Sequence, residues 1–202
     1  MKLLLKLAAT TALLWLALPG AATAKPVCDA DPWIKLEVIA GEIAGNPIGI
    51  WLEIDRSGCV LSHYPHWRRD AGTYQRQMGA AEQQALQLAL ESNGIYQFDA
   101  EHERRLLELA DQQFEKSAGG RIYYGIEDAD LYRLQVHEGK SNTIIEWRSP
   151  AAELAFRQDH AGYAASAKSA AAKGLNRLVQ TLRLLQSTAA DARKQKIAEV
   201  TP

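Results

Sequence analysis

The 202-residue chain is poor in the features that usually announce chemistry. It has two cysteines and no Cys-x-x-Cys pair, which argues against a dithiol redox centre or a cysteine-built zinc site. No Gly-x-Ser-x-Gly elbow and no phosphate-cradling glycine loop occurs, so two common enzyme signatures are missing. A basic excess is also lacking: 23 Lys and Arg face 24 Asp and Glu, a net charge of −1. Dedicated nucleic-acid binders carry a large positive balance, so no nucleic-acid partner is expected. Only one apolar run is long enough to concern a membrane, and it lies at the extreme N-terminus. What is present, 47% hydrophobic and 23% charged residues, is the balance of a globular protein and excludes whole-chain disorder and collagen-like structure.

The N-terminus has the three parts of a secretory signal. Lys2 and Lys6 form a positive start, residues 7–18 are apolar apart from Thr10 and Thr11, and Pro19-Gly20 ends the run. Ala22-Thr23-Ala24 supplies the small residues that a signal peptidase needs. The apolar core is about a dozen residues, short of the ~20 that span a bilayer. A cleaved signal peptide over residues 1–24 is therefore expected, with a periplasmic or secreted bacterial product and no remaining transmembrane segment. Lys25, Pro26 and Val27 precede Cys28, where a lipid-attachment cysteine wants small apolar neighbours. The mature 178 residues carry 21 basic and 24 acidic groups. Cys28 and Cys59 both lie in that part and most simply form one disulfide. Closing a loop of about 30 residues would stabilise the fold by ~3–4 kcal/mol in the chain-entropy account.

Strand and helix patterns come in blocks. Ile34, Leu36 and Val38 alternate with Lys35 and Glu37, the period of a half-buried strand. Gly45-Asn46-Pro47 marks a turn. Ile48, Ile50, Leu52 and Ile54 alternate again, Asp55-Arg56-Ser57-Gly58 has the composition of a tight loop, and residues 59–64 run back. A weaker alternation covers residues 73–78. Residues 81–92 suit a helix that Asn93-Gly94 stops. Asp99 can cap a second helix with Leu106, Leu109, Ala110 and Phe114 on its buried stripe, ended by residues 117–120. Strands are expected over residues 121–126, 131–136 and 142–147, and Ser149-Pro150 starts a further helix. The Ala-rich last 40 residues are helical in pattern, with Leu175, Leu178, Val179, Leu182 and Leu185 on one face. The order predicts an α+β fold: an antiparallel sheet of four to six strands, helices packed on one face, and a long C-terminal helix. One domain is expected over residues 25–187, followed by a polar, frayed tail over residues 188–202.

Residues 50–60 (Ile-Trp-Leu-Glu-Ile-Asp-Arg-Ser-Gly-Cys-Val) resemble the strand–turn–strand opening of small exported bacterial domains of unknown function. Residues 81–98, 131–147 and 175–185 follow in the order of those domains, as helix, second hairpin and closing helix. The same order is similar to the emfourin-type inhibitors of thermolysin-like metalloproteases. The matching parts cover about half of the mature chain. The Cys–Pro motif of the unknown-function domains is missing, and the Ala-rich residues 161–173 are an addition. The resemblance implies a sheet-and-helix fold and an inhibitor-like binding role.

The most unusual run is His63-Tyr64-Pro65-His66-Trp67-Arg68-Arg69-Asp70, which brings two imidazoles, two aromatics and two guanidiniums together. Trp, Tyr and Arg dominate binding hot spots, so His63, Tyr64, His66, Trp67, Arg68 and Arg69 are the candidate binding residues. The bland alternative is a strand end with solvated arginines. His63 and His66 are too few for a metal, which usually takes three protein ligands. Glu101-His102-Glu103 lacks the second histidine of a zinc-protease helix, and Glu127-Asp128-Ala129-Asp130 lacks the spacing of a calcium loop. No metal or cofactor is expected.

Charge is split along the chain. Lys168, Lys173, Arg177, Arg183, Arg193, Lys194 and Lys196 stand against Asp191 in residues 166–196, a net +6, while residues 25–165 carry −8. The basic helix either docks on the acidic body or touches an anionic surface such as a membrane; its leucine face favours docking. The expected function is a non-enzymatic exported module that binds a protein partner in the cell envelope. The alternative is an exported hydrolase whose site is assembled from dispersed residues, which would need a concave pocket with close titratable groups.

Overall fold

The computed structural model describes residues 28, 31–41, 48–118, 129–159 and 170–194. The expected signal peptide, the turn at residues 45–47 and the strand over residues 121–126 lie outside them, as do Glu127, Asp128 and residues 195–202.

Six strands form one antiparallel sheet: β1 Ile34–Ile39, β2 Ile48–Ile54, β3 Cys59–Tyr64, β4 Gly72–Gln77, β5 Leu131–Glu138 and β6 Ser141–Arg148. Their spatial order is β4-β3-β2-β1-β5-β6. Two hairpin systems thus meet at β1, which pairs with β2 on one side and β5 on the other. The alternation read from the sequence decides which side chains face inward. Ile34 stands opposite Ile54 and Val136, and Leu36 opposite Leu52 and Leu134. All six are buried. Between them, Lys35, Glu37 and Glu53 fall on the other face. There, ion pairs run from Glu53 to Lys35 (3.6 Å), Lys35 to Glu37 (3.1 Å), Glu37 to Arg133 (3.3 Å) and Arg133 to Glu146 (2.7 Å). Partly exposed pairs of this kind contribute little each.

The helices pack on the apolar face. They are α1 Ala80–Ser92, α2 Ala100–Ala118, α3 Pro150–Asp159 and α4 Ala170–Lys194, with a single 3₁₀ turn at Ile95–Gln97. Gly94 adopts φ 64° where α1 stops, and Asp99 Oδ1 accepts the N–H groups of Glu101 and His102 (3.0 and 2.9 Å) to cap α2. On α4, Leu175, Leu178, Val179, Leu182 and Leu185 are all buried. Burial of each such side chain is worth about 1.5–3 kcal/mol before conformational entropy is charged. The polar tail expected from residue 188 belongs to this helix as far as Lys194. Thr188, Ala189 and Ala192 are buried, because tertiary packing extends the helix where composition alone suggested fraying. No helix among the described residues is long and apolar enough to cross a membrane.

Cys28 and Cys59 form the expected disulfide, with Cα atoms 5.3 Å apart. It ties the segment before β1 to the first residue of β3. Asp55 supports the loop beside it: its Oδ1 accepts from the Ser57 hydroxyl (2.7 Å) and the Cys59 N–H (2.9 Å). At the far end of the sheet, Arg104 of α2 donates to the Glu146 carbonyl on the outer edge of β6 and lies 5.1 Å from the centroid of the Trp147 ring.

Ionic contacts fix how the helices sit. Arg76 of β4 is buried beside Val60 and donates to Glu82 of α1 (Nη1 to Oε2, 2.8 Å), with Asp191 of α4 adding to the acidic surroundings. Buried Arg157 of α3 joins Asp111 of α2 (2.7 Å) to Glu153 (2.8 Å), and Glu153 also accepts the Trp147 indole N–H (2.7 Å). Where α2 crosses α4, Glu103 lies against Gly174 and accepts from Arg177 (3.4 Å). A Cβ built on Gly174 would come 2.0 Å from that carboxyl group.

Two predictions follow from these contacts. The hydrogen bond from Arg76 holds Glu82 below its ordinary value of 4.5. Its contribution is therefore complete above that value and disappears as pH falls through the lower folded one. Glu82→Gln should lower denaturant stability at pH 7 by about 1–3 kcal/mol, and the difference from wild type should shrink on acidification below pH 4.5. A constant difference across that range would show that the carboxylate charge is not what Arg76 needs. Second, Gly174→Ala should be less favourable with Glu103 present than in a Glu103→Ala background. There it should stabilise α4 by about 1 kcal/mol through helix propensity. A double-mutant cycle of thermal melts reads the coupling.

Candidate functional site

The run from His63 to Asp70 ends β3 and turns into β4. Strand alternation splits its first two members. His63 faces away from the helices: its ring stacks on Trp51 of the neighbouring strand (5.4 Å, 13°) and its Nδ1 lies 3.0 Å from the Thr73 hydroxyl. Tyr64 is buried on the helix side and meets Tyr74 edge-on at 6.0 Å. The six candidate residues therefore do not form one cluster. His66, Trp67, Arg68 and Arg69 remain together on the exposed turn, with Trp67 40% accessible. His66 and Trp67 meet edge to face at 5.0 Å.

The turn is held from below. Its backbone closes twice, from Arg68 N–H to the Pro65 carbonyl (3.0 Å) and from Ala71 N–H to the Arg68 carbonyl (3.1 Å). The Tyr74 hydroxyl donates to the carbonyls of Asp70 (3.1 Å) and Ala71 (3.3 Å). The Asp70 carboxylate accepts from Arg68 Nε (2.9 Å) and also from Arg193, 123 positions away on α4. Both guanidiniums lie over the Tyr64 ring, at 5.3 Å for Arg68 and 4.5 Å for Arg193. Such cation–π contacts are worth about 0.5–2 kcal/mol. Burial pushes the Tyr64 hydroxyl above its usual value, with Arg193 and then Arg68 opposing, so it stays neutral and offers a ring and a hydroxyl rather than a charge.

Asp70 and Arg193 lie outside the six candidate binding residues that the sequence points to. The sequence signal for Arg193 is the basic excess of the last helix, and two of its cations dock on the body: Arg177 meets Glu103 and Arg193 meets Asp70. Asp70, the carboxylate that ends the run, organises it by accepting from Arg68 and Arg193.

Other clusters offer less chemistry. Cys28, Asp55 and Cys59 bring three ligand-type atoms within 4.8 Å, but both sulfurs are in the disulfide. A groove of about 640 Å³ runs along β6 and the start of α2. Its acidic side chains are engaged: Asp99 caps the helix, Glu101 pairs with Arg105 (3.1 Å) and Glu146 with Arg133. No protein-family model matches the chain, and no curated protein matches it.

Asp70→Asn should weaken the clamp while sparing the sheet. Stability should fall by about 1 kcal/mol, since both ion pairs are partly exposed. Amide exchange of residues 66–71 should accelerate more than that of the β3 amides. Equal protection in both proteins would mean that the turn holds its shape without the carboxylate.

Proposed function

We propose that this chain is an exported, non-enzymatic protein-binding module of the cell envelope, inhibitor-like in mode, and that it engages its partner with the turn between β3 and β4. The observation that carries the reading is the clamp beneath that turn. Asp70, Arg68, Arg193, Tyr64 and Tyr74 hold the backbone in place while Trp67 and Arg69 project into solvent. An aromatic and an arginine on a rigid turn lose little conformational entropy on association, which is what lets a small surface bind tightly. The disulfide supports an oxidising compartment, as does the secretory pattern of residues 1–24. The resemblance to emfourin-type inhibitors supports a protease as the class of partner.

The test uses oxidised residues 25–202 and the double variant Trp67→Ala/Arg69→Ala, which leaves the clamp intact. Truncating a central aromatic and an arginine should each cost more than about 1–2 kcal/mol of binding, so the native protein should retain an envelope protein that the variant loses. In parallel, inhibition of a thermolysin-like metalloprotease should be present in the native protein and reduced at least about tenfold in the variant, as that loss of binding energy implies. Equal retention and equal inhibition by both proteins would place the binding surface elsewhere.

A further inference from the structure

Beneath the clamp, α4 changes character. Its core face carries leucine at positions 175, 178, 182 and 185 but alanine at 189 and 192. Protein interiors are normally filled to crystal density. Here the shorter side chains leave a cavity of about 190 Å³ between α4 and the sheet, walled by Val38, Ile50, Ala189 and Ala190, with Arg68 and Arg193 at its polar end. Those two guanidiniums share one carboxylate, that of Asp70, which leaves one positive charge in excess. Arg193 Nε is buried and has no hydrogen-bond partner among the described residues. A buried N–H without an acceptor is costly, and so is apolar wall that faces water. One molecule relieves both: an aliphatic chain with a single anionic, planar head.

We infer that this cavity binds a free aliphatic monocarboxylate, with its carboxylate on Arg193 and Arg68 and its tail between β1, β2 and α4. Guanidinium forks match a carboxylate in plane and in charge, and one excess positive charge suits one negative head. A cavity of about 190 Å³ suits a single medium-length chain such as that of octanoate and excludes a two-chain lipid. The site stands independently of the partner of the turn, although it shares Arg68 and Arg193 with the clamp.

The experiment is calorimetric titration of the oxidised protein with octanoate, acetate and 1-octanol, with thermal melts alongside. Octanoate should bind saturably and raise the melting temperature. Acetate, which lacks the tail, and octanol, which lacks the charge, should each bind about tenfold more weakly or worse. Arg193→Gln should weaken octanoate by about the same factor. Because that change also loosens the clamp, Ala190→Leu is the second variant: it fills the cavity, keeps both arginines and should abolish binding in a protein of unchanged circular dichroism. No saturable octanoate binding, octanol binding as tightly as octanoate, or undiminished binding to folded Ala190→Leu would each overturn the assignment.

Discussion

The leucine face of α4 on the sheet is the contact on which the rest depends. A single antiparallel sheet with one apolar face cannot persist in water uncovered, and the other three helices, of 13, 19 and 10 residues, are shorter than α4. The 25-residue α4 buries Leu175, Leu178, Val179, Leu182 and Leu185 and also meets α2, α3, β3 and β4. Because it touches both ends of the fold, it can carry Arg177 to α2 and Arg193 to the turn. The hydrophobic term sets the position of the helix, and the ionic contacts inherit it.

Those ionic contacts are unequal in kind. On the open face of the sheet the alternating charges are partly hydrated and replaceable. Arg76, Glu103 and Arg157 are different, since each is buried and each links separate elements. Removing one partner of such a group leaves a desolvated charge, which is far more costly than the pair is stabilising. They thereby select one arrangement of helices among several that would bury similar apolar area.

Much of the fold was legible because its signals are local. The two-residue period of Ile34 to Val38 and of Ile48 to Ile54, the loop at Asp55 to Gly58, the stop at Gly94 and the cap at Asp99 depend only on neighbours in sequence. The candidate site was half legible for the same reason. The exposed Trp67 and Arg69 follow from composition and position, but the split between His63 and Tyr64 follows from the pleat of a strand that continues through them. The clamp was not legible at all: Arg193 reaches Asp70 only after α4 has folded back across the sheet, and no local pattern encodes that distance. The cavity under it was hidden in the same way, since alanines late in a helix read as good helix formers until the surface opposite them is known.

The cation at the sheet edge carries one last implication. β6 is an outer strand of the six, and such a strand offers its free backbone groups to any extended chain that arrives. Arg104 already occupies the Glu146 carbonyl and rests on Trp147. A strand adding there must first evict a guanidinium from both an acceptor and an aromatic ring. The molecule thus guards against templated stacking with its own copies by means of one side chain from a different element.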